Sequence, residues 1–151
     1  MTLQQRLQDD MKDAMRSRDA ARLSVIRFIR SAVHNEEIER GSALEDDGVT
    51  DVLNRLAKQR GDSIDAFKKG NRQDLVDKEE AELAVVLGYL PQQLTEDEVA
   101  ALAREAIQEL GASGRRDMGK VMGRLIPQVR GMAQGNTVSA VVSRLLDDAG
   151  E

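Results

Sequence analysis

The sequence predicts an all-α protein: an N-terminal unit built on a long-helix hairpin, followed by a small C-terminal three-helix domain. Three observations carry this expectation. Apolar residues recur at helical spacing along most of the chain, and no stretch of real length alternates with period two. Aromatic residues are only 2% of 151, so the core must be aliphatic, a composition that favours helices over sheets. Helix-start signatures stand where periodic segments begin: Thr2 with Gln5, and Thr95 with Glu98.

The elements follow in order. After the Thr2 capping box, Leu3, Leu7, Met11 and Met15 form one narrow apolar stripe. Asp19 caps a second helix with a stripe of Leu23, Ile26, Ile29 and Val33; Val25, Phe28 and Ala32 broaden it, which predicts burial on two sides. That helix should end near Gly41, and residues 41–48 read as a loop. A third helix spans about Val49 to Lys69 on Val49, Leu53, Leu56, Ile64 and Phe67, with Arg60 interrupting the stripe. Gly70-Asn71 is a tight turn into a fourth helix, whose Leu75, Glu79, Leu83, Val86 and Leu90 face inward until Pro91 stops it. Short turn and long helices predict an antiparallel hairpin, which places Arg60 near Glu79 or Glu82. Pairing there, and no functional role, is the expectation for Arg60.

Beyond Thr95 a helix carries Val99, Leu102, Ala103, Ala106, Ile107 and Leu110, closed by Gly111. Ser113 or Asp117 caps a short helix with Val121, Met122, Leu125 and Ile126 apolar, its end disturbed by Pro127 and Gly131. A last helix follows Gly135-Asn136, with Val138, Val141, Val142, Leu145 and Leu146 inside. The boundary falls at Pro91–Thr95, giving domains 1–91 and 92–151.

Composition narrows the chemistry. There is no Cys, so disulfides and thiolate sites are excluded, and the single His34 rules out a multi-His metal centre. The acid clusters Glu36, Glu37, Glu39 and Glu79, Glu80, Glu82 read as solvated helix faces balanced by cations. No cofactor and no metal are expected. No apolar run approaches the roughly 20 residues that span a bilayer. The first residues lack the apolar stretch of a signal peptide, so a cytoplasmic protein and no membrane partner are expected.

Net charge is −5, but its distribution is uneven. Residues 115–146 hold six cations (Arg115, Arg116, Lys120, Arg124, Arg130 and Arg144) and one anion, Asp117. Within this basic segment Gly119 and Gly123 stand four apart in a predicted helix, where each costs about 0.5–1 kcal/mol relative to Ala. Close approach of something to the backbone would explain them: either a neighbouring helix or a ligand. Lys120 and Arg124 share the adjoining face, and Arg115 and Arg116 precede the helix start, where backbone N–H groups favour an anion. Together they suit sequence-independent contact with a phosphate backbone.

These residues resemble the GatB/YqeY family, in its free-standing YqeY-like form. The likeness runs through Arg22-Leu23-Ser24-Val25-Ile26-Arg27, Asn35-Glu36-Glu37-Ile38-Glu39 and Lys58-Gln59-Arg60-Gly61-Asp62-Ser63-Ile64. It continues in Glu79-Glu80-Ala81-Glu82, Tyr89-Leu90-Pro91, Asp117-Met118-Gly119-Lys120-Val121-Met122-Gly123 and the stretch from Gly131 to Ser139. Gly61 departs from the family pattern, which usually has a larger residue inside this helix. The resemblance implies an all-helical, two-part protein. It also implies a link to glutamine-dependent tRNA amidotransferase, a carbon–nitrogen ligase of translation, whose B subunit carries a similar tail domain that helps hold tRNA. Kinase and amidase chemistry lies in regions that this chain lacks, and no ATP site or ammonia source is legible, so no catalytic residue is assigned. The expectation is a monomeric tRNA-binding accessory module, with amidotransferase or synthetase components as further partners. Its RNA-binding residues would be Arg115, Arg116, Gly119, Lys120, Gly123, Arg124 and Arg130. The alternative is a protein-interaction adaptor that docks a partner enzyme through the helical hairpin or the glycine face.

Overall fold

The computed structural model describes residues 1–149 and is all-helical. Among these residues run α1 (Leu3–Arg16), α2 (Ala20–Arg40), α3 (Asp46–Lys69), α4 (Gln73–Leu87), α5 (Glu96–Leu110), α6 (Met118–Val129) and α7 (Gly135–Ala149). A single 3₁₀ turn, Arg115–Asp117, leads into α6. The chain divides into two compact units, Met1–Pro91 and Gln92–Glu151.

The helix starts and stops follow local chemistry. Thr2 Oγ1 accepts the Gln5 amide while the Gln5 side chain accepts the Thr2 amide, and Thr95 and Glu98 repeat the exchange at α5. The Asp19 carboxylate accepts the Arg22 amide at the head of α2. Gly41 ends α2 in the left-handed conformation at φ +72°, which glycine enters without a Cβ penalty.

In the first unit, Ile26 and Ile29 of α2, Val49 and Leu53 of α3, Leu7 of α1 and Val86 of α4 are fully enclosed. Polar contacts close this core where aromatic bulk is lacking. Arg60 of α3 bonds Glu79 at 3.1 Å and also Glu82, both on α4, and its guanidinium lies 4.9 Å from the centre of the Phe28 ring on α2. Its side chain is 17% exposed, so the three charges are largely removed from water and satisfy one another. Tyr89 donates to Asp10 at 2.6 Å, and Arg6 covers its ring while donating to the Gly88 carbonyl. Burial and the Asp10 contact push the Tyr89 hydroxyl above its ordinary pKa.

Several boundaries differ from those the sequence predicts. The third helix begins at Asp46, earlier than Val49, because Asp46 Oδ1 accepts the Leu3 amide and so joins the head of α3 to the head of α1. Gly48 allows this first turn, since a Cβ there would stand 2.9 Å from Leu44 Cδ2. The fourth helix stops at Leu87, ahead of Pro91, as Gly88–Leu90 turn Tyr89 toward Asp10. Phe28 does not broaden a buried stripe: it is 48% exposed and serves as a platform for Arg60. On α4, Val76 is buried where Leu75 was expected to lead. Gly61 leaves α3 unbroken.

The second unit has a smaller core, in which alanines Ala100, Ala103 and Ala106 of α5 let α6 and α7 approach. Val121, Leu125 and Val129 of α6 meet Val138, Val142 and Leu146 of α7 there. Leu94 N–H donates to the Met132 carbonyl and the Gln93 side chain to the Gly131 carbonyl, fastening the segment that precedes α5 to the α6–α7 connection. Pro127 lies inside α6 and does not end it.

Two tests follow from these contacts. Arg60→Met leaves two half-buried carboxylates facing each other and should destabilise the protein by about 1–3 kcal/mol in urea denaturation. Adding Glu79→Leu and Glu82→Leu should recover most of that loss; no recovery would show that Arg60 acts through something other than charge. Glu37, which accepts the Leu44 amide at 2.8 Å, is held below its ordinary carboxyl pKa of 4.5 by that bond and by Gln4. A depressed folded-state value stabilises above the ordinary pKa, and the effect is lost as pH falls through the folded one. The drop in melting temperature from about pH 6 to about pH 3 should therefore be smaller in Glu37→Gln than in the parent.

Candidate nucleic-acid interface

The amphipathic pattern of α6 determines what its outer side can be. Val121, Leu125 and Val129 recur every four residues and are fully enclosed, so the opposite side faces water. That side carries Gly119, Lys120, Gly123, Arg124 and Pro127, all exposed. A Cβ added at Gly119 or at Gly123 would meet nothing within 4 Å. No helix of the unit therefore occupies the glycine strip, and close helix packing does not explain the pair. The strip is bare backbone open to solvent.

Pro127 adds to this. It has no N–H to donate to the carbonyl four residues earlier, which is that of Gly123. The α-helical bond at that carbonyl is thus missing on the exposed strip. Glycine at 123 also leaves the outer surface beside that carbonyl without a side chain.

The expected cations are distributed unevenly. Lys120 extends into solvent, with Asp117 at 3.9 Å as its one ion-pair partner among the described residues. Arg124 bonds Glu109 of α5. Arg115, in the 3₁₀ turn, makes a two-pronged bond to Asp147 of α7 at 2.7 and 2.9 Å. That bond raises the Arg115 pKa and holds the Asp147 carboxyl below its usual range. Arg116 is exposed beside it, and Arg130 is exposed at the C-terminal end of α6. Helical spacing thus groups Lys120 and Arg124 with the two glycines. Arg115 is held against α7, and Arg130 lies beyond the last turn.

Asp117 stands at the head of α6 but does not cap it; its carboxylate accepts the Ser113 amide at 2.8 Å. The acid partners Glu109 and Asp147 escape a reading of linear sequence, because each lies on a different helix from the cation it meets. Pro127 was legible as a neighbour of the strip from its spacing to Gly119 and Gly123, eight and four residues on.

Elsewhere the acid clusters are paired with cations, Glu36 with Arg40 and Arg55 and Glu80 with Lys68, but only in part are they the solvated faces expected: Glu36, Glu79 and Glu82 are mostly withdrawn from water. Among the described residues no group of His, Asp and Glu is arranged to hold a metal ion, and no helix is long and apolar enough to cross a membrane.

The fold and this face define an all-helical protein whose second unit presents a bare, basic helix surface. Residues 4–146 match the family described as Yqey-like protein, and the chain belongs to that family. It is similar to "Altered inheritance of mitochondria protein 41, mitochondrial" of Pyrenophora tritici-repentis, 35% identical over 85% of this chain and 71% of that protein. The protein of the same name from Lachancea thermotolerans is 37% identical over 71% of this chain and 59% of its own length. That from Eremothecium gossypii is 34% identical over 70% of this chain and 54% of its own. The chain therefore spans between about half and seven-tenths of these relatives. Their names correct the expectation of a cytoplasmic protein, since all three are mitochondrial by name. That expectation rested on a missing apolar leader, whereas a mitochondrial transit peptide is amphipathic and Arg-rich and has no such leader.

Open space at Gly123 gives a direct test. Gly123→Ala, in the helix interior, should stabilise the protein by about 0.5–1 kcal/mol in urea denaturation. A loss of stability would mean that the strip is occupied within the fold.

Proposed function

We propose that the second unit binds tRNA through the phosphate–ribose backbone along the outer face of α6, as an accessory to tRNA-dependent amidation and not as a catalyst by itself. The observation that carries this reading is the bare strip of Gly119 and Gly123 beside Lys120 and Arg124, with no neighbouring helix to account for the glycines. Each glycine gives up helix stability, and contact with a ligand backbone would repay it. Lys120 and Arg124 supply charge to phosphates, with Arg116 and Arg130 at the two ends of the helix. The Gly123 carbonyl, left without its α-helical partner by Pro127, suits a ribose 2′-hydroxyl as donor. RNA backbones are read by shape and by such contacts more than by bases.

Arg115 has a smaller part in this reading, since Asp147 already satisfies its guanidinium on two atoms. The link to an amidotransferase or a synthetase rests on the resemblance of the motifs.

Binding of deacylated tRNA to the full chain should weaken steeply with salt. Lys120→Ala/Arg124→Ala should lower affinity at least tenfold, with circular dichroism unchanged, and flatten the logarithmic salt slope by about 1–2. Gly123→Ala should weaken binding while raising stability, a combination that a purely structural glycine does not give. If the double variant binds tRNA as the parent does, α6 is not the interface. If pull-downs recover protein but no RNA, the adaptor reading replaces this one.

A further inference from the structure

In the first unit α1 and α2 enclose a groove of about 780 Å³. Its two walls differ in chemistry. α1 contributes Gln4, Gln5 and Gln8, and α2 contributes Arg27, Arg30 and His34. Its apolar floor includes Met11 and Met15; Met15 is 51% exposed, and the Met11 sulfur lies 3.0 Å from Arg30 Nη1. The α2 face continues one turn past His34 to Ile38, which is 66% exposed. Glu37 is the one acid lining the groove, and its carboxylate is already engaged by the Leu44 amide and the Gln4 side chain. A positive wall therefore stands in a stretch, residues 1–90, that holds 15 Lys/Arg against 18 Asp/Glu.

We propose that this groove docks an amphipathic helix of a partner protein, with acidic residues along one edge of its apolar face. Three features select that occupant. Methionine side chains are flexible and polarizable, so they adapt to apolar knobs of varied shape. Two arginines on one wall can each take a carboxylate, which sets the orientation of the incoming helix. On the glutamine wall Gln8 offers both donor and acceptor to the other, uncharged edge, while the Gln5 oxygen and the Gln4 amide nitrogen are already bonded within the fold. From Gln4 to Met15 the α1 wall runs about 16 Å, matching three turns of a docked helix. A nucleic-acid strand fits less well, because no aromatic side chain lines the groove to stack a base and the floor is apolar. This surface belongs to the first unit and is independent of the tRNA reading.

The test uses the full chain and two designed helical peptides of about five turns. Both carry leucines at helical spacing, flanked in one by glutamates and in the other by lysines. Methionine-methyl NMR spectra are followed during titration. The glutamate peptide should shift the Met11 and Met15 methyl signals to saturation, at least tenfold more tightly than the lysine peptide. Arg27→Glu/Arg30→Glu, with circular dichroism unchanged, should reverse that preference. Equal binding of the two peptides, or no shift at Met11 and Met15, overturns the proposal. So does displacement of the glutamate peptide by tRNA at lower concentration than by an excess of the same unlabelled peptide.

Discussion

Enclosure of the α6 stripe is the constraint on which the second unit depends. Val121, Leu125 and Val129 are sealed against α5 and α7, and each such burial contributes about 1.5–3 kcal/mol. Two glycines on the far side cost about 0.5–1 kcal/mol each. The stripe outweighs them, so the helix forms although its outer face is a poor helix former. Because the stripe also fixes the rotation of α6, Gly119, Lys120, Gly123 and Arg124 can face only water. The core thus decides where the surface with unusual chemistry stands.

The first unit solves a related problem by other means. An aliphatic core with few rings fills space with small pieces, and its edges are closed by polar contacts. Arg60 between Glu79, Glu82 and Phe28 joins three helices, and Tyr89 with Asp10 and Arg6 seats the turn after α4. Glu37 does the same for the loop between α2 and α3 through Leu44 and Gln4. A cation on an apolar stripe is in this setting a clamp, since its partners are half-buried with it. The cations Arg27 and Arg30 are of another kind: they line a groove in which Arg30 donates to the Met11 sulfur and the single acid is turned to a structural bond.

Charge in the second unit is locally balanced more closely than its composition suggests. Asp147, Glu109 and Asp117 each stand beside one of the cations of the basic segment. Screening confines such fields to about 8 Å at physiological ionic strength, so what a ligand meets is set by individual side chains and not by the net charge of −5. Lys120 is well exposed, and it adjoins the bare strip.

The sequence by itself determined the helices, most of their ends and the presence of a basic, glycine-bearing segment. Those features are local: capping boxes, apolar spacing and turn glycines act within a few residues of one another. Placing Arg60 near Glu79 or Glu82 was also possible, because a short turn ties the positions on α3 and α4 together. Only the tertiary structure decided the rest. It moved the start of α3 to Asp46 through a bond to Leu3, exposed Phe28 as a seat for Arg60, and supplied Asp147 and Glu109 as partners from separate helices. It also showed that no neighbour fills the space above the two glycines, which depends on where other helices lie. Spacing along one helix carries no information about that space, and there the structure leaves Gly119 and Gly123 open to solvent.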